Sequence, residues 1–176
     1  MLFVQERQRV ITTAGKKTTG LGLHVVDELL PDNQSTEAAK KMAKARGWRI
    51  DPSRSMIFVD PTARGDELAA IRREFFGEAT RIVKKARGDE AEVVEYGIDC
   101  VNAALLDVDS NVRLTVSSSL PRQQRSLLTV ITRYHRGPNG RPVRDDTVDH
   151  AVDCLRYPVV HLLPIRRSGF NVSNAA

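Results

Sequence analysis

The chain has 176 residues and two cysteines, long enough to enclose an apolar core and too poor in thiols for a disulfide framework or a four-cysteine zinc site. It carries 27 Lys and Arg against 22 Asp and Glu, a net charge of +5, which favours polyanionic partners through release of their condensed counterions. Aromatic residues make up 5% of the chain, which argues against single-strand binding on stacked rings. No apolar run approaches membrane-spanning length, and Gln5, Glu6 and Arg7 stand where a secretory leader is apolar, so the expectation is a cytoplasmic protein without a membrane partner.

Residues 9–13 and 21–30 are rich in β-branched and aliphatic side chains, and 14–20 between them reads as a turn, together predicting a β-hairpin. Asn33, Gln34 and Ser35 then lead into a capped helix over 36–46, stopped by Gly47. Residues 55–61 form a short apolar run closed by Asp60 and Pro61, the pattern of a strand buried on both faces. A second helix is expected over 65–76 and a charged loop over 84–92. A helix over 97–106, a strand over 112–116 and a helix over 122–134 follow. The Gly- and Pro-rich segment 137–142 predicts a turn, and 146–157 a final helix with Val148, Ala151, Val152 and Leu155 on its apolar face. Pro158 is expected to end or kink that helix. This order is α/β, with residues 1–167 as one domain and 168–176 as a flexible tail.

Two places concentrate groups capable of chemistry. Asp60 closes a buried strand, where ligands of open α/β sheets collect, although an Asp-Pro pair is equally a turn starter. On the final helix Asp146, His150 and Asp153 recur at i, i+4 and i+7 with Asp149 beside them. Such a side is also what any amphipathic helix turns to solvent. Yet like charges four residues apart, as at Asp149 and Asp153, cost a helix a few tenths of a kcal/mol, and a bound cation would reverse that penalty. Gly15, Lys16, Lys17 and Thr18 resemble a phosphate-binding loop, but position 10 is Val rather than Gly and no Ser or Thr directly follows the Gly-Lys pair, so an ATP site is rejected. Cys100, Cys154 and the run Ser117 to Ser119 have no nucleophile frame. His24, His135 and His161 read as isolated, structural or solvent-facing residues, and Trp48 as the cap of a hydrophobic edge.

The string Asp149-His150-Ala151-Val152-Asp153-Cys154-Leu155-Arg156-Tyr157 closely resembles the Asp-His-Ala-x-Asp-Ala-Leu-Arg-Tyr signature that closes the nuclease domain of phage large terminases. The resemblance extends upstream, through Val25-Val26-Asp27-Glu28, Ile57-Phe58-Val59-Asp60-Pro61, Gly97-Ile98, the strand around Leu114 and the helix ending in Tyr134, and covers roughly 20–163. It implies a ribonuclease H-like fold, a mixed central sheet flanked by helices, and a viral packaging endonuclease that cuts concatemeric double-stranded DNA with two Mg²⁺ or Mn²⁺ ions. By position Asp60 and Asp153 resemble metal ligands, His150 an accessory metal-site histidine, and Asp149 a further ligand beside them. One ion would activate the attacking water and the other stabilise the leaving oxygen, at about 4 Å separation. Lys16, Lys17, Lys84 and Lys85 are expected in loops that hold the DNA backbone. The family also implies a terminase ATPase domain, a small terminase subunit and a portal protein as partners, in the host cytoplasm.

One departure stands out: the family's first catalytic aspartate lies on a central strand ahead of the hairpin, and no Asp precedes Asp27 here. Either that strand lies outside this chain, the favoured reading, or residues 1–5 shorten it and Glu6 takes the ligand position. Two alternatives follow, a non-catalytic DNA-binding packaging module with an incomplete metal site, or another ribonuclease H-like nuclease such as a resolvase.

Overall fold

A computed structural model describes residues 2–29, 35–48, 56, 58, 65–71, 73–74, 90–134, 137–138 and 149–165. Strand β1 (Leu2–Thr13) turns directly into β2 (Lys16–Glu28), because Ala14 and Gly15 both take positive φ, 49° and 77°. Two left-handed residues in succession match the right-handed twist of the flanking strands, so the ladder reaches the turn itself, pairing Thr13 with Lys16. The turn is therefore two residues rather than the predicted seven. Lys16 and Lys17 are strand residues, not loop residues, and both are exposed.

β1 runs from Leu2 with one bulge, between Phe3 and Val4, and no turn near Glu6. Glu6 lies exposed in mid-strand opposite Leu23, which removes the shortened first strand that would have ended there. The third strand, β3 (Leu114–Val116), lies parallel to β2, giving the order β1-β2-β3. It begins two residues later than predicted because Asp107 draws the amides of Asp109 and Asn111 into a tight turn, and Arg113 gives its own amide to the Ala104 carbonyl.

Helix α1 (Thr36–Ala45) follows its local signals: the Ser35 hydroxyl accepts from the Ala38 amide, and Gly47 at φ 80° follows the helix end. α2 (Gly65–Ile71) falls within the expected second helix, and α3 (Glu90–Leu105) starts inside the stretch read as a loop. α4 (Leu127–Ile131) is far shorter than the predicted 122–134. Its start is set by tertiary structure, for the buried Glu28 carboxylate at the end of β2 accepts the Leu127 amide with both oxygens, at 3.0 and 2.9 Å.

α5 (Asp149–Leu162) passes straight through Pro158. The proline removes one amide donor, but Val159 and Leu163 beyond it are buried, and the Leu163 amide still reaches the Val159 carbonyl at 2.8 Å. Packing holds the last turn.

The core joins Leu23, Val25 and Leu114 of the sheet to Tyr96, Cys100 and Ala104 of α3, Leu127 and Val130 of α4, and Ala151, Val152, Leu155 and Val159 of α5. The chain is thus a mixed α/β protein whose three-stranded sheet packs against α3, α4 and α5. No described helix is long and apolar enough to cross a membrane.

Candidate metal centre on the last helix

The residues of α5 divide as a helical period requires, with Ala151, Val152 and Leu155 buried, His150 exposed and Asp153 half-buried. Val148 and Asp146 lie outside the described residues. So does the side chain of Asp149, which opens the helix.

Asp153 has a strong internal partner. Arg156, one turn on, donates Nη2 and Nε to the same carboxylate oxygen, Oδ1, at 2.7 and 3.1 Å. The guanidinium is almost fully enclosed, its side chain 8% accessible against 31% for Asp153. It also contacts the Val93 carbonyl at 3.5 Å and lies 5.1 Å from the centre of the Tyr157 ring. Gly97 on α3 makes this possible, since a Cβ there would collide with Cγ and Cδ of Arg156. The i,i+4 repulsion that seemed to ask for a cation is thus answered at Asp153 by an arginine of the same helix. Oδ2 receives neither of these bonds.

Phe58 is the described residue nearest in sequence before Asp60. Its ring meets His161 of α5 edge-on, with centroids 5.5 Å apart. Asp60 itself, Lys84 and Lys85 lie outside the described residues, as does His135. Among the described residues no three His, Cys, Asp or Glu side chains gather closely enough to hold an ion. The helix alone offers His150 and Asp153, short of the set that two divalent ions need.

The other carboxylates near the sheet are taken by the fold. Asp27 accepts from Arg46 Nη1 at 2.8 Å, from Trp48 Nε1 at 2.7 Å and from the Glu28 amide at 2.7 Å, while Trp48 stacks on Phe3 at 4.7 Å. Trp48 therefore ties the chain after α1 to the hairpin. Burial pushes the Glu28 carboxyl above its ordinary value, against the opposing pull of the Leu127 amide. Burial likewise raises the Cys100 thiol, which suits an inert core residue. Asp107 is held below its usual value, first by the Asn111 side chain and then by the Asn111 amide.

Two of the histidines read as isolated have partners. His24 Nδ1 lies 2.8 Å from the Thr115 hydroxyl, and His161 meets Phe58. Sequence reasoning also missed Arg156 as the partner of Asp153, although the i,i+3 spacing was there to be seen. In comparison with known proteins, the chain matches no family model, no curated protein and no solved structure.

Proposed function

We propose that this chain is the nuclease domain of a phage-type large terminase, a ribonuclease H-like endonuclease that cuts double-stranded DNA during viral packaging. The observation that carries the reading is the nine-residue string from Asp149 to Tyr157, read together with its setting. It opens a helix that is anchored by its apolar side and keeps His150 exposed and Asp153 half-exposed.

In this reading Asp153, His150 and Asp149 on α5 combine with Asp60 to hold two Mg²⁺ or Mn²⁺ ions, which suit hard oxygen donors. When bound, the ions supply an activated water and charge stabilisation for phosphodiester hydrolysis. The protein's own contribution is positional. Arg156 fixes Asp153 in one rotamer by two bonds to Oδ1, so that Oδ2 has a set direction. The ATPase domain, small subunit and portal protein of a packaging motor complete the assembly in the host cytoplasm, and Lys16, Lys17, Lys84 and Lys85 support the DNA backbone.

Mn²⁺-dependent nicking of supercoiled plasmid tests this. Asp153→Asn keeps an acceptor for Arg156 while removing the charge, so the expectation is loss of nicking on the order of 100-fold or more, with a lowered melting temperature because the enclosed guanidinium loses its anion. Asp60→Asn should lose nicking to the same degree. Full activity in either variant would remove that residue from the site.

The Arg156 clasp on Asp153 favours a second reading, a non-catalytic DNA-binding packaging module that keeps the helix and has lost the ions. Wild-type protein that binds duplex DNA and never nicks it would favour that module.

A further inference from the structure

The sheet face turned away from α3, α4 and α5 carries a concentration of hydrogen-bond donors. Along β2, Leu21, Leu23 and Val25 point toward the core, so Gly20, Gly22 and His24 occupy the opposite side. The register sets Arg9 against Gly20, Arg7 against Gly22 and Gln5 against His24, while Thr115 of β3 pairs with His24 from the other edge. Lys16 joins the same side near the turn, opposite Thr13.

Gly22 shapes this surface. A Cβ there would collide with Cγ of Arg9 and lie 2.9 Å from the Arg113 carbonyl, so only glycine lets the arginine lie flat across the strand. Arg9 Nη2 thereby reaches the Thr115 hydroxyl at 2.8 Å. The same hydroxyl lies 2.8 Å from His24 Nδ1, so Thr115 joins the arginine and the imidazole. Burial, then Arg7 and Arg9, hold the imidazole below its ordinary value. Arg9 Nε is enclosed and finds no acceptor among the described residues.

The hairpin's carboxylates are turned elsewhere. Glu6 falls on the opposite side of β1, Asp27 is held by Arg46 and Trp48, and Glu28 is buried against α4. Arg7 is exposed, and its only described side-chain contact is a long 3.4 Å bond to Gln5. A surface of donors is complemented by a ligand that only accepts. Phosphodiester oxygens are such a ligand, and with His24 as the face's only described ring beyond the Phe3 and Trp48 corner there is little platform for unstacked bases.

We propose that this face docks the sugar-phosphate backbone of double-stranded DNA, with Arg7 and Arg9 as donors to phosphate oxygens. The proposal rests on the nuclease reading and names the surface on which that enzyme's substrate lies.

The test is fluorescence anisotropy of a short labelled duplex with the whole chain in EDTA, so that no cleavage intervenes, repeated over a range of salt. Each lost phosphate contact lowers the salt slope by about 0.9, so Arg7→Gln should lower it by about one and Arg7→Gln/Arg9→Gln by about two. Affinity at low salt should fall severalfold in the first and tenfold or more in the second. Arg7→Gln touches nothing in the core, so it decides the matter even if the double variant unfolds. Unchanged affinity and slope in Arg7→Gln would overturn the proposal, as would wild-type binding to phosphatidylglycerol vesicles but not to duplex. Failure of the two readings is separable. Wild type that binds in EDTA but never nicks with Mn²⁺ leaves the surface standing and removes the enzyme, whereas nicking with an Arg7-independent salt slope does the reverse.

Discussion

Arginine plays opposite parts in the two halves of this molecule. Between α3 and α5, Arg156 is enclosed by protein, fills the notch left by Gly97 and is neutralised by Asp153 of its own helix. On the hairpin, Arg7 is exposed and Arg9 half-buried, with a threonine hydroxyl in place of a carboxylate. The difference follows from desolvation. A guanidinium removed from water must be matched by an internal anion, whereas one left in water keeps its hydration and can exchange it for an external one. The helical half therefore uses charge to hold structure, and the hairpin keeps charge at the surface.

That contrast can be broken first in the core. Leu155 is 1% accessible, and Leu155→Ala should cost about 2–5 kcal/mol in chemical denaturation. Val10, 68% accessible on β1, should change stability by less than about 0.5 kcal/mol when replaced by Ala. Similar costs at the two sites would mean that the hairpin is packed as the helices are.

A smaller effect is expected where the halves meet. The Asn111 side chain accepts from the Thr12 amide at 2.6 Å and donates to the Thr12 carbonyl at 2.9 Å, clamping the end of β1 to the loop after α3. Asn111→Ala should cost about 1–3 kcal/mol and raise hydrogen exchange at Thr12. Unaltered protection there would show the hairpin to be held by its own ladder alone.

The smallest effect belongs to pH. The folded-state value of Glu28 is raised by burial, so its stabilising contribution is complete below the ordinary value of 4.5 and is lost as pH climbs through the raised one. Glu28→Gln keeps an oxygen for the Leu127 amide and should flatten the stability profile in that window. The wild-type loss attributable to this group is at most about 1.4 kcal/mol per pH unit, the limit for one proton. Parallel profiles for the two proteins would show that the carboxylate is not desolvated.

Several elements are legible in the sequence alone. Ser35, Thr36 and Gly47 mark α1 because caps act within a turn of the residues that make them. The apolar stripe of α5 was visible because a helical period is local. Other features escaped for reasons beyond the local window. The turn at Ala14 and Gly15 looked long because its glycine, lysines and threonines suit loops as well as an exposed ribbon. α4 looked long because nothing near it announces that Glu28 sets its first turn. Pro158 looked like a stop because its cost is local and the packing of Val159 and Leu163 that offsets it is not.

For the candidate site, residue order was enough to suggest which side chains of α5 share a side, since the rise and turn of a helix are the same in every protein. Partner choice was decided only in three dimensions. Arg156 meets Asp153 because α3 brings a residue without a Cβ against it, and Arg9 meets Thr115 because a glycine on the intervening strand leaves a path. Periodicity belongs to a segment, but desolvation and close approach belong to whatever the fold places beside it.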